Sequence, residues 1–330
     1  MIRRLLFFVL VCFFFFSSNA FVFAQSLGGG TVAVNLSPSN PGPNQSVTLA
    51  LTSYSFSLQT AEIDWSIDGG KIVGGIGYSK YTITTKAIGR STRVDITVTP
   101  IGSIPITQTV TIVPASVDLL WEATDSTVPP FYKGKALATA ESAVKFVAIP
   151  QVVSGDGSLV PSSDFLYEWR DEYNPDDAHS GFGKNSFTTS MDYLNPTRNI
   201  GVDVSGRDGV IAATNDIALD PSDPMLALYA VSPLYGALYD HQLGADYTVT
   251  DTDTSIMAMP YYFSPGNPTS SQLAYTWSLN GNTVETPGIP NMLYLHRGDA
   301  STGDASVNLS LVNSTKLLQE LTADLTLHLQ

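Results

Sequence analysis

The stretch Glu62–Gly70, which reads Glu-Ile-Asp-Trp-Ser-Ile-Asp-Gly-Gly, occurs in three related versions along the chain. It returns as Leu-Tyr-Glu-Trp-Arg-Asp-Glu at Leu166–Glu172 and as Ala-Tyr-Thr-Trp-Ser-Leu-Asn-Gly at Ala274–Gly281. In each version a tryptophan alternates with apolar residues two positions away, and a turn sequence follows. Side chains at positions i and i+2 of a β-strand share one face. The stretch therefore predicts a strand whose apolar face is centred on Trp65, Trp169 or Trp277.

The distance from each tryptophan to the next strongly alternating strand is nearly constant. Val94 follows Trp65 by 29 positions, and the equivalent strands at Ile200 and Val307 follow their tryptophans by 31 and 30. Short strands around a buried tryptophan are typical of immunoglobulin-like sandwiches. We predict an all-β protein of three tandem immunoglobulin-like β-sandwich domains, with the three tryptophans in their cores, at residues 26–114, 115–221 and 222–330.

The first 25 residues, Met1–Gln25, have the composition of a secretory signal peptide. Two arginines precede the unbroken apolar run Leu5–Phe16, and Val22–Ala24 offers residues suited to cleavage. The alternative is an uncleaved anchor, because twenty uncharged residues are enough to span a bilayer. We expect a secreted or cell-surface protein that contacts a membrane only through an uncleaved N-terminal segment, if at all.

The chain of 330 residues is acidic, with a formal net charge of −14. Nucleic-acid binding requires clustered lysine and arginine, so this charge argues against a nucleic-acid partner. The acidity lies in the second and third units, with net charges of −9 and −8, whereas the first carries +1. The single cysteine, Cys12, lies in the signal segment. The mature chain therefore has no disulfide, which favours a bacterial origin over an animal secreted protein.

The tryptophan strands Trp65–Gly69 and Trp277–Gly281 resemble those of bacterial PKD-like and immunoglobulin-like surface domains. The common PKD pattern has an aromatic residue and Gly-Asp-Gly after the tryptophan, and this chain departs from it, so the immunoglobulin-like resemblance is the closer one. Leu120–Ala123, Pro130–Leu137 and Gly183–Phe187 also resemble tandem immunoglobulin-like secreted proteins of small-genome, uncultivated bacteria. The resemblance implies a fold and a location outside the cytoplasm, and no activity.

The densest group of carboxylates follows the second tryptophan strand. Calcium takes six to eight oxygen ligands, and five side chains in this segment offer oxygen: Asp171, Glu172, Asn174, Asp176 and Asp177. The spacing differs from that of an EF-hand loop, and Asp, Asn and Pro are also ordinary turn residues. Two interpretations therefore stay open, a calcium site and a solvated turn. The sequence indicates no other cofactor.

The sequence contains no motif for catalysis. The four histidines lie far apart without the spacing of a metal site, and there is no nucleophile elbow, phosphate loop or dinucleotide turn. We therefore predict no catalytic residue and no enzyme activity. Arg297–Asp299 spells an integrin-type tripeptide, a short match that often arises by chance. The aromatic pairs and triplets at Phe131–Tyr132 and Tyr261–Phe263 fit either sugar stacking or packing over the ends of the sandwiches.

These features favour a non-catalytic extracytoplasmic binding or structural protein, such as a surface adhesin, a spacer or a subunit of an envelope assembly. The expected partner is a protein or a glycan at the cell surface, reached through loops or through exposed edge strands. The first alternative is a carbohydrate-binding protein, which requires exposed aromatic residues clustered on one face. The second is a secreted hydrolase, which requires paired carboxylates in a cleft.

Overall fold

The chain is almost entirely β-structure. The computed structural model describes four ranges, residues 31–154, 157–207, 209–298 and 302–330. Within them, the strands are joined by turns and one short 3-10 helix, Ser162–Asp164. The chain divides into two compact units, the first formed by residues up to Lys86 with Ser91–Val113, the second by Ala87–Arg90 with Pro114–Gln330.

The first unit is a sandwich of two antiparallel sheets. Its strands are β1 (Val32–Ser37), β2 (Ser46–Ser53), β3 (Glu62–Ile67), β4 (Val73–Ile76), β5 (Lys80–Thr84), β6 (Thr92–Thr99) and β7 (Ile106–Ile112). One sheet has the order β1-β2-β5 and the other β4-β3-β6-β7. In β6, Val94, Ile96 and Val98 alternate with polar residues and are all buried in the core that contains Trp65. The period-two pattern of the sequence thus places one face of each sheet in the core.

The second unit contains two sandwiches. The one that comes first along the chain, called here the second sandwich, has β8 (Ser116–Ala123), β9 (Ala143–Gln151), β10 (Leu166–Asp171), β11 (Asn174–Pro175), β12 (Gly181–Phe182), β13 (Ser186–Ser190), β14 (Arg198–Ser205) and β15 (Ile211–Leu219). One sheet has the order β13-β9-β8 and the other β11-β10-β14-β15, with β12 also paired to β10. Phe146, Phe187 and Trp169 are buried between the two sheets.

The third sandwich follows the same plan with additional strands. It consists of β16 (Met225–Ser232), β17 (Gly236–Gln242), β18 (Asp246–Val249), β19 (Asp253–Tyr261), β20 (Leu273–Leu279), β21 (Asn282–Val284), β22 (Met292–His296), β23 (Gly303–Asn313) and β24 (Glu320–Leu329). The sheets have the orders β17-β16-β19-β22 and β18-β24-β23-β20-β21. β18 pairs with β24 in parallel, whereas the other pairs are antiparallel.

The three repeated tryptophans occupy equivalent positions in their sandwiches. Each is only 1% exposed. Each indole N–H donates to a main-chain carbonyl 13 to 15 positions further along the chain, at 2.9 Å from Trp65 to Tyr78, 2.9 Å from Trp169 to Lys184 and 3.1 Å from Trp277 to Pro290. A buried indole N–H without a partner would be costly, so this hydrogen bond fixes the ring in each core.

The repeated spacing corresponds to a repeated register. Each tryptophan lies opposite a residue of the alternating strand that the sequence singled out: Trp65 faces Ile96, Trp169 faces Val202 and Trp277 faces Leu309. The prediction of an all-β chain of tandem immunoglobulin-like sandwiches is confirmed. The exact limits of the three domains, at residues 114 and 221, stay a prediction.

Buried hydrogen bonds join the second and third sandwiches within their unit. Gln319, in the loop between β23 and β24, is 1% exposed, and its Nε2 donates to the Ala140 carbonyl before β9 at 2.8 Å. The Thr127 N–H donates to the Phe263 carbonyl at 3.1 Å, and the Tyr262 N–H donates back to the Thr127 carbonyl at 2.7 Å. Hydrogen bonds from both main-chain groups and a buried side chain cross this junction. We therefore describe the two sandwiches as one block.

Some predicted features lie outside the described residues. These are the signal segment Met1–Gln25 with Cys12, and Asp299 of the Arg297–Asp299 tripeptide. Where the structure describes the chain, it contains no helix with the length and apolar character that crossing a bilayer requires.

Candidate functional site

Asp171, the first of the five predicted calcium ligands, closes one end of the second sandwich. Its Oδ2 accepts a hydrogen bond from the Arg198 guanidinium at 2.7 Å and one from Thr189 Oγ1 at 3.3 Å. The two charged side chains are about four-fifths buried, at 20% and 19% exposed. Arg198 begins β14 and Thr189 lies in β13, so this contact ties the two sheets together.

Glu172 has a structural role that recurs in all three sandwiches. Its main-chain N–H donates to the Asn199 carbonyl at 2.9 Å, and its Oε1 accepts from the Asn199 N–H at 2.9 Å. The same reciprocal pair joins Asp68 with Arg93 and Asn280 with Ser306. The first residue of each pair has a φ near +50°. Asparagine replaces a carboxylate in one of the three, so the position requires an acceptor and not a charge.

The remaining predicted ligands have other contacts. Asp176 Oδ1 accepts from the His179 N–H at 2.9 Å and lies 2.9 Å from the ring Nδ1. Partial burial acts to raise the pKa of Asp176, but the hydrogen bonds from His179 outweigh it and the pKa lies below its usual value. Asn174 Nδ2 donates to the Glu172 carbonyl at 3.1 Å, and Asp177 is exposed.

The five side chains are thus distributed over separate contacts along one turn. Among the residues that the structure describes, no group of three or more His, Cys, Asp or Glu side chains is placed to hold a metal ion. The calcium hypothesis stays a prediction.

The aromatic candidates for sugar stacking divide into buried and exposed residues. Tyr261 and Phe263 are buried at 1% and 0% exposure, whereas Phe131 is 95% exposed. The rings of Tyr132 and Tyr262 meet edge to face, with centroids 6.5 Å apart, across the junction of the second and third sandwiches. Packing at the ends of the sandwiches therefore accounts for most of this set.

A cleft of about 630 Å³ opens at the edge of the second sandwich. Apolar side chains from β8, β9 and β15 form most of its lining, together with two lysines. These residues are Leu119, Trp121, Val147, Ile217, Lys135 and Lys145. Trp121 lies on the inward-facing side of β8, opposite the buried Phe146. Because β8 is the last strand of its sheet, the Trp121 ring is only partly covered. An apolar concave surface with a few polar groups is the usual character of a ligand site.

A lysine lies over the tryptophan of this cleft. The Lys135 ammonium is 3.4 Å from the centroid of the Trp121 ring, the geometry of a cation–π contact. Burial against this surface lowers the pKa of Lys135. The Ala123 N–H donates to the Ala136 carbonyl at 3.0 Å, which anchors the segment that carries Lys135 beside β8. The cleft therefore presents an aromatic surface and a cation to the same ligand.

Sequence reasoning missed this cleft. Trp121 is the one tryptophan of four that stands outside the repeat, and it belongs to an apolar strand that reads like any other core strand. The departure from the repeat was the available signal, because a tryptophan without counterparts in the other two units is not required by the shared core.

Comparisons with known proteins find distant likenesses among solved structures. No protein-family model matches the sequence, and no curated protein matches it. Among solved structures, the three N-terminal domains of the bacteriophage RB49 Highly Immunogenic Outer Capsid protein align with 92% of this chain and 99% of theirs, at 11% identity and a TM-score of 0.25. The fibronectin(III)-like modules of Clostridium thermocellum CbhA cover 58% of this chain and 94% of theirs, at 11% identity and 0.30. The central fibronectin-III array of RIM-binding protein covers 89% and 94%, at 11% identity and 0.29. Likenesses this weak carry no argument about fold or function.

Proposed function

We propose that this protein is a non-catalytic, extracytoplasmic binding protein whose Trp121 cleft receives a partner at the cell surface. The observation that carries the proposal is the partial exposure of the Trp121 ring in an apolar cleft, whereas the other three tryptophans are 1% exposed. Aromatic rings that remain accessible in concave apolar surfaces are enriched at binding sites. The partner is a protein or a glycan.

The placement of the cleft supports this role. Trp121 and Leu119 lie on β8, and Ile217 lies on β15, so the cleft is built mainly on strands. Sites built on strands hold their geometry better than sites built on loops. The predicted signal segment Met1–Gln25 and the absence of cysteine after Cys12 support the proposed location outside the cytoplasm of a bacterium. They are consistent with the proposed role as an adhesin, a spacer or a subunit of an envelope assembly.

Carbohydrate binding is the second candidate, and the Trp121 ring is the observation that favours it. A flat indole offers a large apolar face with a polar edge, which suits stacking on a sugar ring. The Lys135 ammonium already occupies one face of that ring at 3.4 Å, however, so a sugar would have to displace it. For this reason we rank a protein partner first.

The test compares binding by the full chain and by Trp121→Ala to arrayed glycans and to envelope proteins separated from bacterial cells. We expect Trp121→Ala to weaken binding at least about tenfold, since aromatic anchors commonly dominate an interface. Tyr54→Ala is the control, because Tyr54 is 98% exposed in the first unit, and this variant should bind like the wild type. Equal binding by Trp121→Ala and the wild type would refute the assignment of the cleft.

A further inference from the structure

β8 is an edge strand, and half of its main-chain groups point away from β9. The Thr124 N–H donates to the Ala143 carbonyl at 2.8 Å, so these two residues form a hydrogen-bonded pair. Hydrogen-bonded and non-hydrogen-bonded pairs alternate in an antiparallel ladder. The main-chain groups of Leu119, Trp121 and Ala123 therefore face the open side of the strand.

Other segments of the chain close both ends of this open side. At one end the Ala123 N–H donates to the Ala136 carbonyl at 3.0 Å. At the other end Asn215 Nδ2 donates to the Val117 carbonyl at 2.7 Å. Between them, Leu119 and Trp121 face the cleft, and their outward N–H and carbonyl groups have no hydrogen-bond partner among the described residues. An unpaired strand edge is a template for an added strand.

The second and third sandwiches share a register that makes their edges comparable. Pro150 of β9 lies opposite Val117 of β8. Pro260 of β19 lies opposite Leu226 of β16 in the same way. β16 is thus the counterpart of β8, and two positions further along, Leu228 is the counterpart of Leu119.

The third sandwich fills this edge with its own chain. β17 pairs with β16 in the antiparallel sense, and the Leu243 N–H that follows it donates to the Leu228 carbonyl at 2.8 Å. β17 also brings Tyr239 against Tyr229 of β16, with ring centroids 5.2 Å apart. The edge position beside Leu119 is therefore open in the second sandwich. In the third sandwich of the same protein, the equivalent position holds an antiparallel strand that carries apolar side chains.

The rim of the cleft is positively charged in an acidic chain. Lys135 and Lys145 both line it, and among the described residues neither lies within ion-pair distance of a carboxylate. Glu122 is the acidic residue of the lining, and the chain as a whole carries a net charge of −14. Complementary charge selects partners and orients them at an interface. The two lysines therefore favour an acidic occupant.

We propose that the cleft binds an extended, acidic peptide segment of a partner protein, which adds to β8 as a further antiparallel strand. This inference rests on the proposed binding function of the cleft and names its ligand class. The main chain of the peptide pairs with Leu119 and Trp121, and its apolar side chains pack on Trp121 and Ile217. Its carboxylates pair with Lys135 and Lys145. Main-chain hydrogen bonds supply affinity and alternate side chains supply specificity, as in other cases of strand addition.

The probe is an acetylated and amidated octapeptide, Asp-Val-Thr-Val-Asp-Val-Thr-Glu, with a matched probe in which Asn and Gln replace Asp and Glu. Binding to the full chain is followed by tryptophan fluorescence, because Trp121 is the partly exposed indole. We expect the acidic probe to bind at least about fivefold more tightly than the neutral one. Lys135→Gln and Lys145→Gln should each weaken binding of the acidic probe by about two- to fivefold more than they weaken binding of the neutral probe.

A second arm tests strand addition itself. Two N-methylated versions of the octapeptide are used, each methylated at alternate amides. In one version the methyl groups block the N–H donors that face β8, and in the other they block the donors that face solvent. One version should lose at least about tenfold in affinity, whereas the other keeps it. Leu119→Pro removes an N–H that faces the cleft and not β9, so it should weaken the acidic probe similarly. Leu119 also packs against the core, so the matched variant is Leu119→Ala, which loses the same packing, keeps the N–H and should bind the probe more tightly than Leu119→Pro. If Leu119→Pro does not fold, the methylated probes on the wild type decide.

The outcomes separate the ligand class from the binding function. If an arrayed glycan alters Trp121 fluorescence and neither peptide does, the peptide proposal is overturned and the binding function stands. If the full chain alone sediments as a dimer that protects Trp121 from acrylamide quenching, a second copy occupies the edge and the partner-peptide proposal is overturned. If peptides and glycans all leave Trp121 unchanged, both proposals fall.

Discussion

Glu172 and Asn199 are joined by a reciprocal pair of hydrogen bonds, one between main-chain groups and one from the Asn199 N–H to the Glu172 carboxylate, each 2.9 Å long. Asn199 Nδ2 adds a longer hydrogen bond to Glu172 Oε2 at 3.3 Å. The other two sandwiches place Asp68 and Asn280 in the role of Glu172. An amide oxygen and a carboxylate oxygen therefore accept the same hydrogen bond at this corner, the turn that follows each tryptophan strand. A residue that the sequence suggests as a calcium ligand is thereby explained as part of the repeated fold.

Glu172→Gln should preserve the stability of the second sandwich, and Glu172→Ala should reduce it by about 1–2 kcal/mol. Glutamine keeps the acceptor for the Asn199 N–H, whereas alanine removes it and leaves a backbone donor with a poorer partner. The free energy of unfolding from urea titrations measures the difference. Equal losses in the two variants would show that the charge matters and would contradict the interpretation of this corner.

Calcium should change the melting temperature of the protein by no more than about 1 °C relative to chelator. Asp171, Glu172 and Asp176 already accept hydrogen bonds from Arg198, Asn199 and His179, so calcium would have to compete with them. Thermal unfolding in calcium and in chelator measures this. A rise of several degrees that Asp177→Asn abolishes would instead support the calcium hypothesis, because Asp177 is exposed and its loss leaves the fold intact.

Trp169→Ala should destabilise the second sandwich by about 3–5 kcal/mol. The ring is 1% exposed, stacks on Phe187 at 5.5 Å and donates to the Lys184 carbonyl, so its removal leaves a cavity and an unsatisfied acceptor. Chemical denaturation measures the loss. Trp121→Ala is the matched control and should cost less, because that ring packs against the same core but remains partly exposed. Similar losses in the two variants would contradict the distinction between core and cleft.

Gln319→Ala should destabilise the junction of the second and third sandwiches by about 2–3 kcal/mol. Gln319 Nε2 donates to the Ala140 carbonyl, and its Oε1 accepts from the Ser264 N–H at 3.0 Å, both in a buried setting. Truncation leaves these groups without partners. We expect the two sandwiches to unfold in one transition in the wild type and in separate denaturation steps in Gln319→Ala. Gln272→Ala, an exposed position in the third sandwich, is the control and should change nothing. A variant that keeps one steep transition would contradict the coupling.

His328 should make the third sandwich more stable at mildly acidic than at alkaline pH. Its hydrogen bond to Asp304 at 2.7 Å, together with the contact to Asp246 at 3.3 Å, raises the pKa of His328 above its usual value of 6.5. A raised pKa in the folded state contributes stability that is complete below 6.5 and is lost as the pH rises through the folded-state value. The difference in melting temperature between the wild type and His328→Gln should therefore shrink as the pH rises above 6.5. An NMR titration that finds a pKa at or below 6.5 would refute this.

The core of each sandwich was predictable because periodicity and spacing are properties of the sequence itself. The alternation around Val94, Ile200 and Val307 reports which face is buried, and a constant spacing from the tryptophan reports a constant register. The all-β tandem immunoglobulin-like fold follows from these two facts. Both facts can be obtained without knowing which strands, remote in sequence, lie close together in space.

The candidate site was not predictable in the same way. The exposure of Trp121 depends on which strand ends the sheet, and that depends on the missing counterpart of β17 in the second sandwich. The carboxylates after Trp169 raise a related difficulty. Residue type alone does not distinguish an oxygen that accepts from a neighbouring N–H from one that is free to bind a cation. Asp176, which accepts from His179, is an example.

The corner formed by Asn280 has a consequence for chemical ageing of the protein. Asn280 precedes Gly281, and an asparagine before glycine is the kind of residue whose side-chain amide hydrolyses most readily over time. Hydrolysis through a succinimide gives two products at this position. One is aspartate, the residue that the first sandwich has at Asp68 in the same hydrogen-bonded geometry and at nearly the same φ, and the other is isoaspartate, whose main chain is one carbon longer. The third sandwich thus keeps this pair of hydrogen bonds in the aspartate product, whereas isoaspartate disrupts it, and either product adds one negative charge to the aged protein.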